Sequence, residues 1–317
     1  MMLGVLPPLT AATALTSWVF DPLGAALALA LTFGYVVAVV RVQRAGQDWH
    51  RLRTAVFLLL GIGSLVYGTC GALAVYRSTL FWVAATQAAV LSCVTPMGLA
   101  LGNPVTLAQR VLGPRGVGLL RRCLMGAVPR ILMFPLVSSL LAVGSLIVVF
   151  FTGYFASSVS SALVREVLYL QLLGTGLLVV LPLLGEEMLP PWCTHPVRTL
   201  LAFVDGLLDA IPGILVMTAP ILLAPGVTGF TSRSWGPAPT LDQRLGGGLM
   251  LAVAEVVGLP VLAALFISWA RADDADARQM DAILDARQAT SGEVGRDRPW
   301  WETEPSIVDE KRAGPPT

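Results

Sequence analysis

Asp205 and Asp209 lie four residues apart inside an apolar run, and their type and spacing invite chemistry first. On a helix, positions four apart share a face. An acidic side chain near the centre of a membrane span costs at least ~2.5 kcal/mol. Two on one face therefore call for a polar interior, a shared proton or a cation, and Arg198 is placed to shield one end. Glu255 is a further acidic residue in an apolar run, expected to make an interhelical hydrogen bond, with Gln87 as its specific partner. Cys93 and Met97, again four apart, offer a thiol and a thioether, with Cys70 on the neighbouring run as a third sulfur. Such soft ligands suit Cu(I), and the same side chains also serve as small or flexible packing residues. Met188, Cys193 and His195 in MLPPWCTH form a second soft set. That loop lacks four-ligand zinc spacing, and its two prolines with Trp192 also describe an ordered turn. Copper is the cofactor these sets could hold, although nothing in the sequence demands one. No Walker loop, GxSxG or HExxH is present, so a non-enzymatic role is expected.

The elements that must position these residues follow from composition. Hydrophobic residues make up 55% of the chain and charged residues 13%, whereas a soluble domain is about 25% charged. A bilayer crossing needs roughly 20 apolar residues. Seven runs qualify: Pro22–Val40, Thr54–Val75, Leu80–Leu101, Val128–Phe151, Val167–Leu184, Leu200–Leu223 and Leu249–Trp269. Lipid leaves backbone polar groups no outside partner, so each run should be a helix. The expected fold is all-α, a polytopic bundle of seven transmembrane helices in a lipid bilayer. Arg41, Arg44, Arg51 and Arg53 follow the first run, and Arg110, Arg115, Arg121 and Arg122 follow the third. The positive-inside rule then puts the amino terminus outside and the carboxyl tail in the cytoplasm of a bacterial plasma membrane. Cys123, like Cys193, would lie on the reducing side. The first positive charge is Arg41, so no basic region of a secretory signal precedes the first run.

Residues 1–271 are expected to form the membrane domain, and 272–317 a cytoplasmic charged helix with a disordered tail carrying Trp300 and Trp301. Pro104–Leu112 reads as a short helix capped by Asn103. Pro225–Gly248 reads as an irregular loop ending at Gly246–Gly248. Residues 1–21 read as a surface or re-entrant anchor, and Arg165–Glu166 as an interfacial pair of modest worth. The net charge of +1 gives no reason to expect a nucleic-acid partner.

Four ordered pieces carry a family resemblance. They are LPPLTAATALTSWVFDP with Asp21 and Pro22; the stretch Leu80–Leu112 with Gln87, Pro96, Gly102 and Pro104; LLGTGLLVVLPLLGEEMLP; and LDQRLGGGLMLAVAEVVGLP with Asp242, Gln243 and Glu255. Together they resemble the CtaG-like cytochrome c oxidase assembly factors. The resemblance implies a seven-span protein supporting assembly of a haem–copper oxidase, with an oxidase subunit or another assembly factor as partner and a role in copper delivery. It also implies intramembrane histidines, and these are missing. Ala84 and Ala88 stand at two of those positions, Tyr169 and Gln171 near a third, and Gly213 and Ile214 near a fourth. The functional expectation is a scaffold in oxidase assembly or maintenance. The alternatives are a copper or small-solute transporter using Asp205, Asp209 and Glu255, and a divergent paralogue serving another envelope complex.

Overall fold

The computed structural model describes residues 6–184 and 195–291. It divides into two compact units, Met1–Phe266 and Ile267–Thr317. Described residues are helical or irregular, with no strand among them. Six helices are long and apolar enough to cross a membrane: Pro22–Arg44, Arg51–Tyr76, Phe81–Leu101, Ala162–Leu183, Pro196–Thr218 and Pro239–Ala286. A seventh crossing is available if Pro135–Phe151 and Tyr154–Ser160, bent by 67°, act as one span. The expected all-helical membrane bundle is therefore present. Below, the spans are numbered first to seventh in chain order.

Local chemistry sets the boundaries. Asp21 caps the first span by accepting a 2.8 Å bond from the Gly24 N–H, and Pro22 follows at the first helical position, where its missing N–H costs nothing. The fourth span was expected from Val128 but is interrupted: Ala127–Leu132 is a separate helix, and Pro135 opens the next. A proline biases the residue before it away from helical geometry. Pro96 stays inside the third span because the turn before it, Val90–Val94, widens to π geometry. The second span carries a matching π segment at Phe57–Ile62.

Small residues let the helices approach, as in membrane bundles generally. A Cβ on Gly98 would strike the backbone of Leu60 and Gly61, which fixes the crossing of the second and third spans. Gly246–Gly248 corrects an expectation. The triplet does not end a loop; it lies inside a helix that begins at Pro239. A Cβ on Gly246 would lie 2.8 Å from the Phe81 ring, and one on Gly247 would lie 2.6 Å from the Gly213 carbonyl oxygen. Gly246 and Gly247 let the seventh span cross closely against the third and the sixth, and the cost of glycine in a helix is offset by that contact. The connection before it is also less irregular than expected, with a short helix at Gly229–Ser232.

The third span is the central pillar: 78% of its apolar window is buried, against 11% for the last helix. Its Phe81, Ala84, Ala85, Ala88 and Leu91 pack with Phe150, Phe155, Tyr169 and Val216. Beyond its end, Asn103 adopts the left-handed conformation at φ 52°, which asparagine tolerates better than most residues. It precedes the helix Pro104–Val111 as expected, but its side chain makes no capping bond to the backbone; it accepts from the Thr106 hydroxyl at 2.8 Å. Residues 11–16 form a short helix, with Leu15, Trp18 and Phe20 exposed around it. In the second unit, the described residues continue as helix to Ser291, with Met280, Ile283 and Leu284 exposed.

Candidate functional site

At the end of the bundle marked by Asp21, polar side chains hold helices to one another. Asp242 is fully buried and accepts from the Phe81 and Trp82 N–H groups at 2.9 and 3.0 Å. It thereby caps the third span from the seventh, where the helix dipole also favours an anion. Arg233 completes the site with a 2.9 Å ion pair to Asp242 and donates to the carbonyls of Thr79 and Phe230. Gln243 next door accepts from the Leu223 N–H at 2.7 Å and donates to the Ile221 carbonyl at 3.0 Å. The Asp–Gln pair in the sequence is thus a fastening for loop and helix ends. Gly102, at the other end of the third span, accepts from the Tyr35 hydroxyl at 2.7 Å, and a Cβ there would meet the Phe57 ring.

Three of the positions where the resemblance implies histidine, Ala84, Ala88 and Tyr169, come together as packing, whereas Ile214 is exposed. Ala84, Ala88 and Tyr169 share one buried cluster with Val216 of the sixth span. Gln87 donates to the Gly68 carbonyl at 2.7 Å and to the Tyr169 hydroxyl at 2.9 Å. Arg77 reaches the same hydroxyl at 3.4 Å and Ser158 Oγ at 2.5 Å, with its guanidinium 5.4 Å from the Tyr169 ring centroid. Gln171 bridges Tyr154 and Ser145, each at 2.8 Å. This region does not fit a copper ion. Alanine has no lone pair, the glutamine and tyrosine are already engaged, and a buried guanidinium beside them repels a second cation. Burial pushes the Arg77 pKa below its ordinary value, with Tyr169 opposing that shift.

The carboxylates and sulfurs named from sequence do meet, in a second place. Cys93, Met97, Asp205 and Asp209 all line an interior cavity of about 60 Å³ between the third, fourth, fifth, sixth and seventh spans. One water needs ~10–15 Å³, so several could fit. Ser139 of the fourth span hydrogen-bonds Asp205, which is buried. Asp209 has no hydrogen-bond donor among the described residues. The remaining walls are apolar, including Val180, Leu183 and Leu262. Two like charges in such a chamber repel unless a proton or cation lies between them. No group of three His, Cys, Asp or Glu able to hold a metal occurs among the described residues. Arg198 was expected to shield this end; it is buried and donates to the Leu183 carbonyl, at the cavity wall.

Two expectations are corrected. Gln87 does not pair with Glu255: its amide is spent on Gly68 and Tyr169, and Glu255 is exposed on the last helix. Cys70 does not join Cys93, because it packs beside Thr69 and the Asp21 carbonyl at the opposite end of its span. The Arg165–Glu166 pair is present at 3.2 Å, and Arg165 additionally pairs with Asp21 at 3.5 Å. Met188, Cys193, the side chain of His195 and Trp300–Trp301 lie outside the described residues. Sequence reasoning missed Arg233 and Arg77. Both sit in connections poor in arginine, Arg233 against the Asp242 carboxylate and Arg77 against the hydroxyls of Ser158 and Tyr169.

Among curated proteins, the chain is 30% identical to an uncharacterized protein of Mycobacterium leprae over 89% of its length, covering 45% of that protein. Uncharacterized proteins of Mycobacterium bovis and Mycobacterium tuberculosis are each 30% identical over 92% of this chain and 46% of their own. The chain thus spans about half the length of the curated relatives it matches. No solved structure matches it. Residues 33–272 match the family described as the cytochrome c oxidase caa3 assembly factor, Caa3_CtaG. That match runs from the first span through the carboxylate cavity, the Asp242–Gln243 fastening and Glu255, and the chain belongs to this family.

Proposed function

We propose that the chain is a non-enzymatic scaffold in the assembly or maintenance of a haem–copper cytochrome c oxidase. It would hold an oxidase subunit or another assembly factor against its helices in a bacterial plasma membrane. Family membership supports the pathway. The observation that carries the scaffold reading is Glu255. It is exposed on an apolar helix, beside exposed Val256 and Leu259, without a described partner in its own chain. A carboxylate facing lipid is costly, and a basic or hydrogen-bond-donating residue on a partner's span would remove that cost. The arginine bias supports an amino terminus outside and a carboxyl tail in the cytoplasm. Copper handling by family-type residues is not part of this reading, because the region that would hold them carries Ala84, Ala88 and the Arg77 charge.

The test is a deletion strain. Loss of haem-a absorbance from its membranes, restored by the wild-type gene and by the Asp205→Asn/Asp209→Asn double variant, is expected. A second reading is favoured by the cavity: the paired carboxylates and Cys93 would line a path for protons, copper or a small solute. Uptake or efflux abolished by that double variant, with oxidase spectra intact, would establish transport and overturn the scaffold.

A further inference from the structure

A second pocket, about 160 Å³ in volume, lies at the Asp21 end. Two arginines line it, Arg77 and Arg165, together with Asp21, Ser158 and Tyr169. Their charges are not equally matched. Arg165 is held by both Asp21 and Glu166, at 3.5 and 3.2 Å. Asp21 is further occupied in capping the first span. Arg77 is only 3% exposed, and its contacts are neutral: the hydroxyls of Ser158 and Tyr169 and the ring faces of Phe155 and Tyr169. Its Nε has no hydrogen-bond partner among the described residues. No carboxylate of those residues forms an ion pair with it. Glu166 acts on Arg77 only from beyond ion-pair distance. A buried charge without a counter-ion in contact is strongly destabilising, so the fold leaves a place for an anion.

We propose that this pocket binds the phosphate of an anionic phospholipid headgroup, with Arg77 and Arg165 as its charge partners. Guanidinium groups match phosphate oxygens in geometry and charge, and basic pockets between membrane helices take headgroups in this way. The surroundings select a lipid over a free ion. Val19, Phe20 and Val159 line the same pocket and are exposed, and Trp18 and Leu163 are exposed nearby in the chain. Acyl chains would cover these side chains, which water would not. Aromatic residues such as Trp18 mark the depth of a bilayer interface. A phosphate bound here would tie the first span, the turn after the second and the start of the fifth together. By the arginine bias this is the outer leaflet.

The test uses the full chain purified in neutral detergent and stripped of lipid. Phosphatidylglycerol, phosphatidylcholine and inorganic phosphate are added separately, with bound lipid read by native mass spectrometry and stability by thermal midpoint. One phosphatidylglycerol per chain with a raised midpoint is expected, and weaker retention of phosphatidylcholine. Arg77→Gln and Arg165→Gln should each weaken phosphatidylglycerol about tenfold, the loss expected for one charged hydrogen bond. Arg165 is 31% exposed, so its variant remains informative if Arg77→Gln does not fold. Equal retention of the two lipids, full retention by a folded Arg165→Gln, or an equal effect from inorganic phosphate alone would overturn the proposal.

Discussion

Asp242 and Asp209 are both acidic side chains within membrane helices, and their surroundings are opposite. Asp242 receives two backbone N–H groups and the Arg233 guanidinium and has no contact with solvent. Asp209 faces a cavity, has Asp205 four residues away, and receives no donor from the described residues. The first arrangement commits both carboxylate oxygens to holding helix and loop ends, which leaves little for a ligand. The second leaves lone pairs unspent in a chamber large enough for water or a small cation. Carboxylates in a membrane bundle therefore divide by whether their acceptors are already used, and residue type alone does not separate fastening from chemistry.

The largest expected effect is at the fastening. Asp242→Ala removes one partner of a buried ion pair and uncaps the third span, a loss of about 3–5 kcal/mol. A sharply lower thermal midpoint, or loss of folded protein from membranes, is the expected result. A midpoint close to wild type would mean that Asp242 is dispensable and the contrast with Asp209 is false.

Restoring histidines tests the other side of the Asp21 end. Ala84 and Ala88 are 1% and 4% exposed, so Ala84→His with Ala88→His overfills the core, at about 1–3 kcal/mol for each insertion. The double variant is expected to lose stability and still retain no stoichiometric copper after dialysis, because Arg77 remains beside Tyr169. Copper retained at one ion per chain would show that alanine alone had silenced the site.

Asp209→Asn should do far less to the fold. It removes an ionisable group from beside Asp205 and breaks no described hydrogen bond, so the midpoint should hold or rise by the equivalent of about 1 kcal/mol or less. A drop matching that of Asp242→Ala would place Asp209 among the fastenings.

Much of this division was open to sequence reasoning. Apolar runs of bilayer length gave the helices, because lipid permits few other structures, and the i, i+4 spacing put Asp205 with Asp209 and Cys93 with Met97. That these two pairs share one cavity depends on how the third and sixth spans face each other, which spacing within a single helix does not encode. The Gly246–Gly248 triplet misled for a related reason. Glycine marks loop ends and close helix crossings alike, and only the Phe81 ring and the Gly213 carbonyl across the gap decide between them. Gln87 looked like a partner for Glu255 because both are polar in apolar helices. The nearer hydroxyl of Tyr169 takes the amide instead, and nothing in the sequence ties position 169 to position 87.

Glu255 is a third kind of carboxylate, neither fastened nor enclosed, and its variant has the smallest expected effect on the isolated chain. Glu255→Leu removes an exposed charge with no described partner from a helix whose neighbours Val256 and Leu259 already face outward. The purified variant should keep the wild-type midpoint. The effect should instead appear in the membrane, as reduced co-purification of oxidase subunits or assembly factors and lower haem-a absorbance. Glu255→Gln separates charge from hydrogen bonding: a partner offering a cation should be lost with both variants, and one offering only a hydrogen-bond donor should be lost with leucine alone. If Glu255→Leu lowers the midpoint and leaves haem-a absorbance unchanged, the residue belongs with Asp242 as an internal fastening, and the docking face must be sought elsewhere.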